Sequence, residues 1–262
     1  MAKTFRTALV TGASAGMGAS FARALAAGGT SLVLVARRAQ RLAELAEELH
    51  RRHGVTVEVL PADLGDADAL RTVEERLADK ERAIDLLVNN AGALTNGPLA
   101  ELPIDGEIRQ VQVNVVAPVR LIHAALPGML ERRHGGVLNV SSIGGEAPSA
   151  YGATYCGTKA FLTIFSQSLH IEVKRHGVAV TTLLPGFTWS ENRDELPTGA
   201  AVSARQVQEP DRVAREALAA VAAGRSLCVV GLRNKRSVAI SRLVPRRFMN
   251  AVLETVAANV AR

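Results

Sequence analysis

A chain of 262 residues has room for one large domain or two small ones, each with an ordinary hydrophobic core. With 48% hydrophobic and 21% charged residues it reads as a soluble globular protein, and only 3% aromatic residues argue against carbohydrate or single-stranded nucleic-acid stacking surfaces. Cys156 and Cys228 alone give neither a disulfide framework nor metal-ligand spacing, and the net charge of +6 divides into a near-neutral body and a basic tail, where residues 225–262 carry eight Lys/Arg against the single acid Glu254.

The first apolar run, 7–10, ends at Thr11-Gly12, too short for the apolar part of a secretion signal, and nowhere do about 18 apolar residues stand in succession. A cytoplasmic protein that does not span a membrane is expected. Further runs of strand length follow at 31–36, 55–60, 85–88, 137–140, 178–184 and 227–230, with helical stretches between them. These runs are continuous and rich in Val and Leu rather than alternating, which predicts strands buried on both faces, hence a parallel sheet covered by helices. Right-handed crossovers then give an α/β, doubly wound sheet of Rossmann type, in which ligands bind beyond the carboxyl ends of the strands. No Gly/Ser-rich or Pro-rich linker divides the chain. Residues 1–231 are expected to form a single dinucleotide-binding and catalytic domain, and 232–262 a basic amphipathic extension.

After the first run comes Thr11-Gly12-Ala13-Ser14-Ala15-Gly16-Met17-Gly18, leading into a helical stretch. Glycines there let the backbone turn sharply and approach a pyrophosphate, whose charge the free N–H groups of a helix N-terminus stabilise. The spacing G-x-x-x-G-x-G also suits a plain turn, but its place directly after the first strand favours a nucleotide. After the second run stand Arg37 and Arg38, where a protein selective for NAD would place an acid for the ribose 2′-hydroxyl. Two cations at the start of a helix are disfavoured by its dipole unless an anion meets them, and a 2′-phosphate would do so. The expected cofactor is NADP(H).

These residues, with Asp63-Leu64, Asn89-Asn90-Ala91-Gly92, Asn114, Ser142, Tyr155-x-x-x-Lys159 and Pro185-Gly186, make the chain resemble the short-chain dehydrogenase/reductase family over nearly its whole length. The resemblance implies that Gly12, Ser14, Gly16, Met17 and Gly18 cradle the cofactor, with Asp63 and Leu64 by its adenine. Asn90, Ala91 and Gly92 would shape the cleft, and Pro185 and Gly186 would begin a segment beside the nicotinamide. Thr188 and Ser190 belong to that segment, Ser190 standing where family members commonly have a carboxamide-contacting Thr. The family spacing to the tyrosine selects Ser142 over Ser141. The helical stretches 107–132 and 153–174 resemble the family's subunit contacts, which implies a homodimer or homotetramer.

The chemistry also follows from the residues. Tyr155 and Lys159, four apart on a helix, share one face, and the ammonium favours the phenolate, moving a pKa of about 10 toward the working range. Tyr155 then serves as general acid, Ser142 donates to the substrate oxygen as charge develops, Lys159 holds the ribose hydroxyls and Asn114 completes a proton relay through water. The expected reaction is hydride transfer between NADP(H) and a carbonyl or secondary alcohol, in the direction of reducing an apolar acyl, polyketide or steroid-like ketone. The substrate is then a small-molecule carbonyl, free or carrier-bound. A cofactor-binding sensor or scaffold without turnover would be expected to lose Tyr155 or Lys159, and a nucleic-acid-binding tail would want more aromatics than Phe248.

Other residues carry weaker readings. Tyr151 is taken as pocket wall or packing, and Cys156, turned from the face of Tyr155, as a structural thiol. Phe187 and Trp189 are candidate apolar walls within a variable lid, 187–223, whose run 191–195 reads as solvated surface. Arg132-Arg133-His134-Gly135 suits either a carrier-docking surface or a favourable helix end. Phe248, Met249, Val252, Leu253, Val256 and Val260 recur at helical spacing after Pro245, predicting an amphipathic helix that packs on this chain, on a sister subunit or on a membrane surface. With Arg233, Lys235, Arg236, Arg242, Arg246 and Arg247 near no acid in sequence, an anionic substrate handle or membrane is expected to meet this tail.

Overall fold

A computed structural model describes residues 3–188 and 207–244. Seven strands, β1 (Thr7–Thr11), β2 (Ser31–Ala36), β3 (Val57–Pro61), β4 (Leu86–Asn89), β5 (Gly135–Val140), β6 (Val178–Leu184) and β7 (Leu227–Val229), form one parallel sheet in the order β3-β2-β1-β4-β5-β6-β7. Eight helices are described: α1 (Gly16–Ala27), α2 (Ala39–His53), α3 (Ala67–Ala78), α4 (Ile104–Val111), α5 (Ala117–Glu131), α6 (Ala153–Val173), α7 (Pro210–Ala222) and α8 (Leu232–Leu243).

The continuous apolar runs have the expected cause, because successive residues of β1 to β6 serve two cores, while the edge strand β7 adds only Cys228 to one of them. Ala8 and Val10 join Phe21, Leu42, Leu49 and Val213 under α1, α2 and α7. Leu9 joins Leu70, Leu121, Leu169 and Val173 under α3, α5 and α6. Local signals set several boundaries: Asp66 caps α3 by accepting from the N–H groups of Asp68 and Ala69, Gly54 ends α2 in a left-handed conformation at φ 69°, and Pro210 opens α7.

Strand order reverses between β1 and β4, which opens a crevice at their carboxyl ends. The two loops that leave these strands are sewn together there. The Thr11 hydroxyl accepts from the N–H groups of Asn90 and Ala91, both at 3.0 Å, while the Asn90 amide donates to the Thr11 carbonyl at 3.0 Å.

Helix 104–131 is continuous, with a π-helical turn, Gln112–Val116, joining α4 to α5. It is long and apolar enough to cross a membrane, yet it packs on α3, α6, β4 and β5. The predicted tail helix after Pro245 lies outside the described residues. Within the described part of the tail, α8 is a helix the sequence did not suggest, with Val238 as its buried anchor.

Candidate active site

A cleft of about 1950 Å³ runs along the carboxyl ends of the strands, from the loop after β2 to the N-terminus of α6. Gly12, Ser14, Gly16, Met17, Arg37, Arg38, Asp63, Leu64, Asn90, Ala91 and Gly92 line one part of it, and Ser142, Tyr155, Lys159, Pro185, Gly186 and Thr188 the other. Two expected site residues sit behind the lining. Gly18 is buried under the glycine loop, where a Cβ would drive into the Gly12 carbonyl oxygen, so it serves close packing of loop on helix rather than facing the cleft. Asn114 is the other, described below. Ser190 and Trp189, with the run 191–195, lie outside the described residues.

Gly12 holds φ 66° and Gly16 φ 52°, the left-handed region that glycine reaches without strain, and the space where a Cβ would stand on Gly16 is open. The N-terminus of α1 has no acidic residue in its first turn and no side-chain cap, so its free N–H groups are available to an anion. Arg38 donates to the Ser14 hydroxyl through Nε at 3.2 Å and Nη2 at 3.0 Å, tying the loop after β2 to the glycine loop. Arg37 and Arg38 are both exposed, and Arg41 and Arg23 line the same end. A long cleft with a bare glycine turn and a free helix N-terminus fits the pyrophosphate of a dinucleotide.

Asp63 is gripped from a quarter the sequence did not reveal. Arg109 of α4 donates from Nη2 to both carboxylate oxygens at 2.7 and 2.8 Å, and the Gly65 N–H adds a bond at 2.9 Å. Partial burial works against ionisation, but the Gly65 N–H and Arg109 outweigh it and hold the carboxyl below its ordinary range. Arg109 stands 46 residues away in sequence, and no local signal marks it.

At the other end, β5 delivers two serines. Ser141 is buried and donates to the Lys159 carbonyl at 2.7 Å, whereas Ser142 lines the cleft and accepts from the Gly144 N–H at 3.0 Å, which leaves its proton to donate. Lys159 is 4% exposed, its ammonium 3.0 Å from the Val140 carbonyl and 5.8 Å from the centre of the Tyr155 ring. Burial pulls its pKa down to about 8. Gly92 leaves room beside it, since a Cβ there would lie 3.7 Å from Nζ.

Asn114, in the π-helical turn, accepts from the Ala93 N–H at 2.8 Å and donates to the Ala93 carbonyl at 2.9 Å and the Thr158 hydroxyl at 3.1 Å. Its amide braces the loop after β4 against α6, and no hydrogen bond joins it to Lys159. Further along that loop, Thr95 is held by the buried pair Glu107 and Gln110, and the Gly97 N–H by the carbonyl of Tyr151, which has φ 64°.

Four further placements differ from or extend the sequence reading. Cys156 lines the cleft next to Tyr155 instead of packing away from it. Phe187 lines the cleft as a wall. Arg132 and Arg133 end α5 and donate to the carbonyls of Ile84 and Arg175, at the opposite edge of the sheet from the cleft, which favours the helix-end reading over carrier docking. Arg242 is not without an acid: it meets Glu146, four residues beyond Ser142, through Nε at 2.8 Å and Nη2 at 2.9 Å. This pair docks α8 beside the cleft, where Ser237 joins the lining and Asn234 packs on Gly186.

Comparison with known proteins points one way. A sequence profile described as short chain dehydrogenase matches residues 6–201. The chain is 37% identical over 188 residues to a short chain dehydrogenase of Pseudocercospora fijiensis, covering 71% of this chain and 60% of that protein. It is 37% identical over 194 residues to a very-long-chain 3-oxoacyl-CoA reductase of Laccaria bicolor, covering 72% of this chain and 57% of that one. A solved short-chain dehydrogenase from Sphingobium yanoikuyae, in complex with NADPH, superposes with a TM-score of 0.80 at 32% identity, covering 92% of this chain and 96% of that chain.

Proposed function

Because the chain belongs to the short-chain dehydrogenase/reductase family, oxidoreductases that bind nicotinamide cofactors, we propose that it transfers hydride between NADP(H) and a carbonyl or secondary alcohol, chiefly to reduce an apolar ketone. The observation that carries this is the convergence of Ser142, Tyr155 and a buried Lys159 at one end of a cleft whose other end presents Arg37 and Arg38. The NADPH in the Sphingobium structure and the 3-oxoacyl substrate of the Laccaria reductase support the choices of cofactor and ketone.

Bound NADP(H) would supply the hydride, held by Gly12, Ser14, Gly16, Met17 and Asp63, with Arg37 and Arg38 on its 2′-phosphate and Asn90, Ala91, Gly92, Pro185, Gly186 and Thr188 shaping the rest of its site. Ser142 donates its free proton to the carbonyl oxygen and so polarises it. Tyr155 gives its phenolic proton to the same oxygen as negative charge builds there. Lys159 lowers the cost of the resulting phenolate: with a pKa of about 8 it is largely cationic at neutral pH, and burial in a low-dielectric surround strengthens its field at the ring. Asn114 acts one step back, fixing the loop and helix on which these groups stand. NADPH oxidation measured against a panel from short aldehydes to β-ketoacyl thioesters and steroids tests the reading; turnover of apolar ketones is expected, and NADPH binding without turnover of any carbonyl would replace it with a sensor.

Self-association is part of the proposal. Ile104, Ile108 and Val111 on α4 and Phe161, Ile164 and Ile171 on α6 are exposed apolar residues on two helices that pack together, which supports these helices as the contact between subunits. A dimer or tetramer is expected in light scattering at micromolar concentration, and Ile164→Glu is expected to lower the mass.

A further inference from the structure

Gly144 and Gly152 leave a stretch of the cleft wall bare, and the Cys156 thiol lies between them. A Cβ on Gly144 would stand 3.4 Å from Ser142 Oγ, 3.7 Å from Tyr155 Cε1 and 3.8 Å from Cys156 Sγ. One on Gly152 would stand 3.9 Å from the same sulfur and 3.8 Å from Asn96 Oδ1. All are ordinary contact distances. Gly152 has φ −134° and Gly144 is not among the residues of positive φ, so neither position needs glycine for its backbone or for its packing.

The neighbour Gly145 shows the opposite case. A Cβ there would come within 2.7 Å of the Lys159 carbonyl carbon, so α6 could not approach the loop. Gly145 therefore serves the fold, whereas the missing side chains at 144 and 152 leave space directly beside the groups that hold the reacting oxygen. The side-chain atoms nearest that space, from Ser142, Tyr155, Cys156 and Asn96, carry no formal charge, and neither do Ile143, Ala147, Pro148 and Ser149, which line the cleft on the same stretch of chain. Burial raises the pKa of the Cys156 thiol, so it stays protonated and acts as a small polarisable apolar group suited to the edge of an aromatic ring.

We propose that Gly144, Gly152 and Cys156 form the recess that receives the larger substituent on the carbonyl carbon, and that they select flat, uncharged groups of aromatic width. This rests on the ketone-reducing reading above. With the carbonyl oxygen held between Ser142 and Tyr155, one of the two substituents on its carbon is directed at these three residues. A single methyl placed in such a pocket changes discrimination by about 10- to 200-fold.

The test compares kcat/KM with NADPH for 2-acetylnaphthalene and for 2-butanone. Gly144→Ala and Gly152→Ala are each expected to lower the ratio of the two by about tenfold or more, with NADPH affinity by titration reporting an intact fold. Cys228→Ala, a thiol outside the cleft, is expected to leave the ratio as it is. A second readout does not need turnover. With NADP+ present, 2-acetylnaphthalene should slow alkylation of Cys156 by N-ethylmaleimide, followed by mass spectrometry, while Cys228 serves as the internal reference. Where ketones are turned over the ratio decides: a ratio unchanged in both glycine variants that bind NADPH overturns the recess and leaves the ketone reading standing. If no ketone is turned over, protection of Cys156 upholds the recess while the reading falls, and absence of protection removes both.

Discussion

At the β1–β2–β3 end of the cleft, Arg37 and Arg38 stand exposed, and Arg23, Arg41 and Arg109 also line the cleft, Arg23 paired with Glu48 and Arg109 with Asp63. At the β5 end the cation is Lys159, 4% exposed, and the residues between Ile143 and Cys156 that line the cleft are uncharged, Glu146 being paired with Arg242 outside the lining. The first arrangement spreads recognition over several solvated charges, each screened by salt and each replaceable at modest cost. The second places one charge where the dielectric is low, so that its effect on a ring 5.8 Å away is large and its own desolvation is costly. Affinity should therefore be distributed at one end and chemistry concentrated at the other.

The largest expected effect comes from the concentrated end. Tyr155→Phe should lower carbonyl reduction by about 10³-fold or more, since it deletes the proton donor, while NADPH affinity by titration stays within a few-fold. Ser142→Ala should lower kcat by about 10², as loss of one donor to a developing oxyanion does. Near-normal turnover in either variant would show that the groups converging there do not carry the reaction.

The distributed end predicts a smaller and salt-sensitive response. Wild-type kcat/KM should favour NADPH over NADH, and Arg37→Asp should shift that preference by about 1.5–3 kcal/mol, the range for a charge-assisted hydrogen bond. The preference should also shrink as ionic strength rises. Equal kcat/KM for the two cofactors in the wild type would erase the contrast between the two ends.

The last effect is one of stability and separates the buried cation from the exposed ones. Lys159 has a folded pKa of about 8 against an ordinary 10.5, so between these values the unfolded chain binds the proton and the folded one does not. Stability from this group therefore rises with pH across that window. In urea unfolding of the cofactor-free protein at pH 7.5 and 9.5, wild type should gain up to about 2 kcal/mol relative to Lys159→Met, whose side chain does not titrate. Arg37→Met should show no such difference.

How far the sequence reached depended on whether a feature was local. The central strands were legible because burial on both faces leaves a continuous Val- and Leu-rich run; β3 starts two residues later than its run suggested, at Val57, and β5 two residues earlier, at Gly135. Tyr155 and Lys159 were legible because a helix brings residues four apart to one face. The glycine loop and Arg37-Arg38 were legible because a parallel sheet presents whatever follows each strand at the same edge. These relations are fixed by backbone geometry over a few residues.

Tertiary structure decided the rest. The Arg109–Asp63, Asn114–Thr158 and Arg242–Glu146 contacts join residues 46, 44 and 96 apart, and which loop meets which helix depends on strand order and crossover, not on any nearby residue. Helix α8 escaped notice because Val238 is its only buried residue, so it has no apolar stripe to betray it. Cys156 was misplaced for a related reason: helical spacing separates it from Tyr155 on α6, but at the first turn of that helix the segments around Gly144 and Gly152 wrap the end, so that neighbouring faces open on one cleft. Sequence alone determined which groups could do chemistry and on which edge of the sheet they stand; only the packing of distant segments decided which are buried, which are paired, and how much room is left beside them.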